Sequence, residues 1–268
     1  MASADHQAAP SAPVLAGKRA VITGAGSGIG AASAHVLAVH GAAVAVLDIR
    51  EDAVQNTVAA LVAADARAVG VHCDVALEAS LEAAIGTAVK QLGGLDTVVA
   101  CAGITRPGRT DELSLKDWET VIGVNLTGTF LTLKHALGHL VTAGGGSIVT
   151  IGSIASLVAA GRAPSYDASK GGVLQLTRAI AVEYADRNIR ANCVCPGLVA
   201  TSLAQNTEAL YGSAPRGPKR LAATRVQPPF ERYAQAVEIA AVVAFLCSDA
   251  SSFMTGAAVP VDGGYTAV

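Results

Sequence analysis

No stretch of this chain approaches the roughly 18 uninterrupted apolar residues that a membrane-crossing helix requires, because His, Gly, Asp or Arg interrupts every run. The expectation is a soluble protein with no membrane partner. The first thirteen residues, Met1 to Pro13, lack the basic start and apolar segment of a secretion signal, and they read as a flexible N-terminal tail, 1–13. Charge is scarce as well. Asp, Glu, Lys and Arg make up 15% of the residues and the net charge is -2, which leaves no broad cationic surface for nucleic-acid phosphates. The five cysteines (Cys73, Cys101, Cys193, Cys195, Cys247) contain no C-x-x-C and form an odd set, so neither a disulfide framework nor a zinc site is indicated, and a reducing cytoplasm fits. Cys193 and Cys195 alternate around Val194 and read as small core residues. His135 and His139 stand four apart, but no Glu occupies the H-E-x-x-H place, and no metal is expected. Internal repeats and low-complexity tracts are absent.

What the chain has is apolar content, 51% of 268 residues, enough to bury one large core. Short Val/Ile/Ala-rich runs recur at Arg19–Thr23, Ala43–Asp48, Ala68–Cys73, Leu95–Ala100, Ser147–Gly152, Ile189–Cys195 and Ala257–Val261. Several are continuously apolar, as expected of strands covered on both faces. Between them lie helical patterns at Ile29–His40, Asp52–Ala64, Leu77–Gln91, Ser114–Val141, Tyr166–Arg187 and Ala236–Ser248, with Ser114-Leu115-Lys116-Asp117 resembling a capping box. The alternation predicts an α/β fold: a single Rossmann-type doubly wound parallel sheet of about seven strands with helices on both faces, in one domain over 14–268. An irregular insert at about 198–234, carrying Pro215, Pro218, Pro228 and Pro229 with Arg216, Lys219, Arg220, Arg225 and Arg232, reads as a lid over the ligand edge.

After the first strand comes Thr23-Gly24-Ala25-Gly26-Ser27-Gly28-Ile29-Gly30, leading into a helix, with Asp48 at the end of the second strand. Glycines permit a tight turn that seats a pyrophosphate on free helix N–H groups, and the distal acid suits ribose hydroxyls. A structural turn and a methyltransferase share parts of this pattern. A phosphate-cleaving loop does not, because no Gly-Lys-Ser/Thr ending is present. Asp48 would repel a 2'-phosphate and so favours NAD over NADP, with Arg50 as the nearby opposing cation.

Tyr166 and Lys170 stand one helical turn apart in Ser165-Tyr166-Asp167-Ala168-Ser169-Lys170, so phenol and ammonium share a face. A neighbouring positive charge favours an ionised phenol, which makes Tyr166 the candidate proton carrier. Read singly, Ser153 could be a turn or cap serine, Lys170 a surface lysine and Asn125 a surface or interface amide.

Together these motifs resemble the short-chain dehydrogenase/reductase family from about Gly17 to Thr266. The resemblance rests on Thr23–Gly30, on Asp74-Val75 after the third strand, on Asn125, Ser153, Tyr166 and Lys170, and on Pro196-Gly197 with Thr201. It implies a catalytic set of Asn125, Ser153, Tyr166 and Lys170, with Tyr166 exchanging a proton with the substrate oxygen while hydride moves to or from NAD. The implied cofactor contacts are Gly24, Ser27, Gly28, Ile29 and Gly30 in the turn, then Asp48, Asp74 and Val75. Ala102, Gly103, Tyr166, Lys170, Pro196, Gly197, Val199 and Thr201 complete that set. One motif departs: Ala100-Cys101-Ala102-Gly103 stands where the family often has Asn-Asn-Ala-Gly, so side-chain amide support of the central strand is missing.

The resulting expectation is an NAD-dependent dehydrogenase acting on a secondary alcohol or its ketone. Its pocket would lie between Ile154–Ala163, Ile104–Thr110 and the lid. Leu157, Val158 and Ala159 suit a carbon skeleton, and the lid cations read as a solvated run. Apolar helices over Gly123–Val141 and Gly171–Tyr184, which match those that pair family members, imply a homotetramer. The competing class is a non-catalytic NAD-binding regulator or scaffold, against which the intact Tyr166, Lys170, Ser153 and Asn125 set argues.

Overall fold

Alternate residues of the central strands serve two different cores, and that alternation organises the molecule. In β1 (Arg19–Thr23), Val21 faces one core while Ala20 and Ile22 face the other; in β2 (Ala43–Asp48), Ala45 and Leu47 oppose Val44 and Val46. The computed structural model describes residues 15–159, 163–201, 203 and 229–267. The expected tail 1–13, residues 160–162 of the pocket wall and most of the expected lid, including Pro215, Arg216, Pro218, Lys219, Arg220, Arg225 and Pro228, lie outside the described residues.

The remaining strands are β3 (Ala68–His72), β4 (Thr97–Ala100), β5 (Gly146–Ile151), β6 (Ile189–Pro196) and β7 (Ala258–Val261). They form a seven-stranded sheet of order β3-β2-β1-β4-β5-β6-β7, all pairs parallel. This is the doubly wound α/β fold expected from the pattern. The order reverses between β1 and β4, which opens a crevice at their carboxyl ends. On one face pack α3 (Glu78–Leu92), α5 (Gly128–Thr142) and α6 (Pro164–Glu183), through side chains such as Leu81, Ile85, Leu133, Leu140 and Ile180. On the other pack α1 (Gly28–Val39), α2 (Glu51–Ala63) and α7 (Ala236–Cys247), through Leu37, Leu61, Ile239 and Val243.

The long helix expected over Ser114–Val141 is three pieces: α4 (Leu115–Ile122), one π turn (Gly123–Thr127) and α5. Within the π turn the N–H of Gly128 reaches back to the carbonyl of Gly123, one residue beyond α-helical spacing. Ser114 caps α4 by accepting from the N–H of Asp117 at 3.1 Å, but the Asp117 carboxylate bonds the Ser114 hydroxyl rather than its backbone, so only half the box forms. Cys193 and Cys195 are buried beside Val173 and Leu174, their sulfurs 4.0 Å apart. Among the described residues, no helix is long and apolar enough to cross a membrane.

The insert returns to the strand end it left. Val199 pairs with Ala234, Ala200 N–H donates to the Ala234 carbonyl at 2.9 Å and Ala234 N–H to that of Leu198 at 2.8 Å. Arg232, one of the five cations, is bound to both Glu238 oxygens at 2.8 and 2.7 Å, and that hydrogen bonding holds the carboxyl down to about 2.

Candidate active site

Two turns meet at the crevice. Gly24 has φ +66, and a Cβ there would lie 2.7 Å from the Ala102 Cα, so the turn after β1 touches the chain leaving β4. Only glycine combines that left-handed conformation with so close an approach. Thr23, buried at the end of β1, accepts the N–H groups of Cys101 at 3.2 Å and Ala102 at 3.4 Å through its hydroxyl oxygen. This hydroxyl supports the exit of β4 where Ala100 and Cys101 offer no amides. Burial pushes the Cys101 thiol up to about 12, opposed by the nearby Lys170 ammonium.

Ser27 is the N-cap of α1, yet its side chain makes no capping bond. The first-turn N–H groups of Gly28, Ile29 and Gly30 therefore have no partner among the described residues, which leaves a positive helix end facing the crevice. Asp48 is 8% exposed; one oxygen accepts the Gly26 N–H at 2.9 Å, the other the Arg50 N–H at 3.0 Å. Each oxygen retains a lone pair for a further donor. The Arg50 guanidinium folds back to 3.7 Å from the same carboxylate.

The second cluster forms where α6 crosses the ends of β4 and β5. Pro164 and Ser165 start α6, and Tyr166 and Lys170 follow one turn apart, with the Lys170 Nζ 5.7 Å from the Tyr166 ring centroid. Lys170 is only 4% exposed, and its Nζ donates to the carbonyl of Ile151, the last residue of β5, at 2.7 Å. Ser153, two residues further, accepts the Ala155 N–H at 3.1 Å, and its own N–H donates to the Ser156 hydroxyl. Ser156 in turn donates to the Lys170 carbonyl at 2.7 Å and ties the serine turn to α6. Cys193 lies beneath this turn, and its hydrogen bond with Cys195 pulls its thiol down against the effect of burial.

Asn125 is not the surface amide its local context suggests: it is fully buried. Its Oδ1 accepts the Ile104 N–H at 2.8 Å, and its Nδ2 donates to the Ile104 carbonyl at 2.9 Å and the Ser169 hydroxyl at 3.0 Å. The Ser169 hydroxyl in turn donates a hydrogen bond to the Tyr166 carbonyl at 2.8 Å. A Cβ on Gly103 would lie 3.4 Å from the Lys170 Nζ and 3.5 Å from the Asn125 Oδ1. Asn125, Ser153, Tyr166, Lys170 and Gly103 thus form one connected cluster.

Thr201 closes on the glycine turn, its methyl 3.4 Å from where a Gly28 Cβ would sit. Gly197 packs against Asp262, and Val199 is buried at the base of the insert beside Pro196. Asp74 accepts the Ala76 N–H at 2.9 Å in the turn before α3, while Val75 packs against Gly128. These two face α3 and α5, with no bond to the cluster of Asn125, Ser153, Tyr166 and Lys170 among those described. Sequence reasoning missed Ser156 and Ser169, and gave Thr23 no task. A Ser-x-x-Ser spacing at Ser153 and Ser156 is a capping signal that finds the first.

The comparisons bear on this cluster. A family model described as Enoyl-(Acyl carrier protein) reductase matches residues 24–266. The chain is 44% identical over 250 residues to cis-4-hydroxycyclohexanecarboxylate dehydrogenase of Sinomonas cyclohexanicum, covering 93% of this chain and 96% of the relative. It is 40% identical over 251 residues to cyclohexanol dehydrogenase of Acinetobacter sp. (strain SE19), covering 93% and 95%. Among solved structures, the crystal structure of levodione reductase superposes with a TM-score of 0.89 at 34% identity, over 95% of this chain and 99% of that one.

Proposed function

Because the chain belongs to the short-chain dehydrogenase/reductase family and is an oxidoreductase of alcohols, we propose that it oxidises a ring-borne secondary alcohol to the ketone, with NAD as hydride acceptor and Tyr166 as general base. The observation that carries this reading is the joined cluster: Lys170, buried and fixed on the Ile151 carbonyl, sits beside the Tyr166 ring and within one hydrogen-bonded step of the Ser153 turn.

The side chains divide the work. As the phenolate, Tyr166 takes the proton from the substrate hydroxyl and becomes the neutral phenol, and the Lys170 ammonium stabilises the phenolate that accepts it. Ser153 already accepts from Ala155, so its hydroxyl proton is free to donate to the substrate oxygen. Asn125 uses both ends of its amide on Ile104 and Ser169, which makes it a positioning residue for the loop after β4 and for the second turn of α6.

The residues fit a nicotinamide dinucleotide: uncapped N–H groups at Gly28, Ile29 and Gly30 suit its pyrophosphate, and Asp48 suits a ribose diol. Bound there, it would supply the hydride acceptor. Ala102, Gly103, Lys170, Pro196, Gly197, Val199 and Thr201 would line its nicotinamide end, with Ser27, Asp74 and Val75 toward the adenine end. Asp48 leaves no room for a 2'-phosphate without like-charge repulsion, and Arg50 is already turned onto that carboxylate, which supports NAD over NADP. Tighter binding of NADP than NAD would overturn this preference.

Leu157 and Val158, exposed just beyond Ser153, offer apolar surface to a carbon skeleton, and two of the relatives named above act on hydroxylated cyclohexanes. We read 14–268 as one catalytic domain, with the insert from about 198 to 234 as its lid, working in the cytoplasm. Phe130 on α5 and Val182 on α6 are exposed apolar side chains that support a homotetramer; a monomeric mass in sedimentation would contradict it. The central test is NADH production from cyclic, aromatic, steroidal and short-chain alcohols. Tyr166→Phe should lower turnover by at least about 100-fold and leave NAD affinity within a few-fold; comparable turnover in that variant would reject the assignment.

A further inference from the structure

The loop leaving β4 carries a cation that the catalytic cluster does not use. Other partly buried arginines are well bonded: Arg190 donates to Ser251, Met254, Leu246 and Ser248, and Arg19 grips Asp96 and the Gly93 carbonyl. Among the described residues, Arg106 makes a single hydrogen bond, to the carbonyl of Thr105 at 3.0 Å. Its Nε stands 3.8 Å from Asp117 Oδ1, beyond hydrogen-bond reach, while the other Asp117 oxygen accepts the Ser114 hydroxyl. A guanidinium has five N–H donors in a planar fork, so most of this one is available to a ligand.

Its placement is fixed rather than floppy. Ile104, two residues earlier, is held by Asn125 at both its N–H and its carbonyl, and Thr105 is buried. Gly103, against the Lys170 Nζ, is three residues away, at most about 10 Å of extended chain. A half-buried fork on a braced loop, a few residues along the chain from Gly103, suits a carboxylate held at a set distance from the hydroxyl.

We propose that Arg106 determines substrate choice by binding a carboxylate on the far side of the alcohol-bearing ring, so that the preferred substrates are ring hydroxy acids rather than neutral ring alcohols. This rests on the ring-alcohol reading given above. Asp117 would then hold the fork at the mouth of the site without saturating it, and the incoming anion would compete with that long contact.

Two measurements separate the failure of one reading from the failure of the other. NADH production from cyclohexanol tests the alcohol chemistry and does not involve Arg106. Calorimetric binding of cyclohexanecarboxylate to the protein saturated with NADH tests Arg106 without turnover. The wild type should bind this probe, Arg106→Gln should weaken it by about 10- to 100-fold, and Arg106→Lys, which keeps charge but loses the fork, should fall between. Arg187→Gln, which removes an exposed cation paired with Asp186 outside the pocket wall, should leave binding unchanged. In turnover, Arg106→Gln should raise KM for 4-hydroxycyclohexanecarboxylate while kcat/KM for cyclohexanol stays within about threefold. No binding of the probe by wild type, equal affinity in the Gln variant, or an equal loss on both alcohols would overturn the proposal; the last result would make Arg106 a brace for the loop.

Discussion

Replacing Asn125 with alanine tests whether one buried amide holds the two halves of the proposed catalytic cluster together. The substitution deletes three hydrogen bonds, two to the Ile104 backbone and one to the Ser169 hydroxyl. Alanine is a better helix former than asparagine, so nothing is lost from local propensity. Ser169 keeps its bond to the Tyr166 carbonyl and needs no new partner. Ile104 is only partly buried, so water can reach its freed N–H and carbonyl in part. At about 1 kcal/mol for each bond lost, with a further fraction for incomplete resolvation, Asn125→Ala should cost about 2–4 kcal/mol. For a domain of this size that lowers Tm by roughly 5–15 °C. Calorimetry gives the stability, and NADH formation gives the second readout: a freed Ile104 loop should cut kcat/KM at least about tenfold even well below the new Tm. A variant with Tm within about 1 °C of wild type and unchanged kcat/KM would refute the idea that this amide organises the site.

Two further outcomes follow from contacts around the sheet. Gly24→Ala forces a left-handed conformation on alanine and drives its methyl into the Ala102 backbone, so stability should fall by about 2–4 kcal/mol and NAD affinity at least tenfold in titration calorimetry; affinity within twofold of wild type would contradict the described turn. Burial would raise the Asp96 carboxyl, but hydrogen bonds from the Arg19 side chain and N–H hold it below its ordinary range. A depressed carboxylate contributes stability above its unfolded value of about 3.9, and that stability is lost as pH falls through the lower folded value. The Tm gap between wild type and Asp96→Asn should therefore be full near neutrality and narrow below about pH 4; a gap that widens in acid would show the sign to be wrong.

The strands were legible because both faces of the sheet are covered, and β1 and β2 fall where their apolar runs begin and end. The Tyr166–Lys170 pair was legible for a similar reason: a four-residue step on a helix fixes which side chains share a face before any tertiary contact is known. The π turn was not. Gly123-Val124-Asn125-Leu126-Thr127 contains no proline and reads as continuous helix; what it gains from the extra residue is tertiary, since Asn125 then reaches Ile104, 21 positions away, and Ser169, 44 positions away. The same limit hides Thr23, Ser156 and Ser169. A hydroxyl has many local alternatives, such as a cap, a turn or water, and only the topology decides that these three brace the exit of β4, the Ser153 turn and the start of α6. The consequence is a division of labour visible in this chain. The groups proposed to carry the proton are set by local spacing, whereas the groups that hold them in place are set by the parallel sheet, which brings the ends of β4 and β5 side by side. Variants of the bracing hydroxyls should for that reason disturb geometry and KM first, and the proton chemistry proposed for Tyr166 only through it.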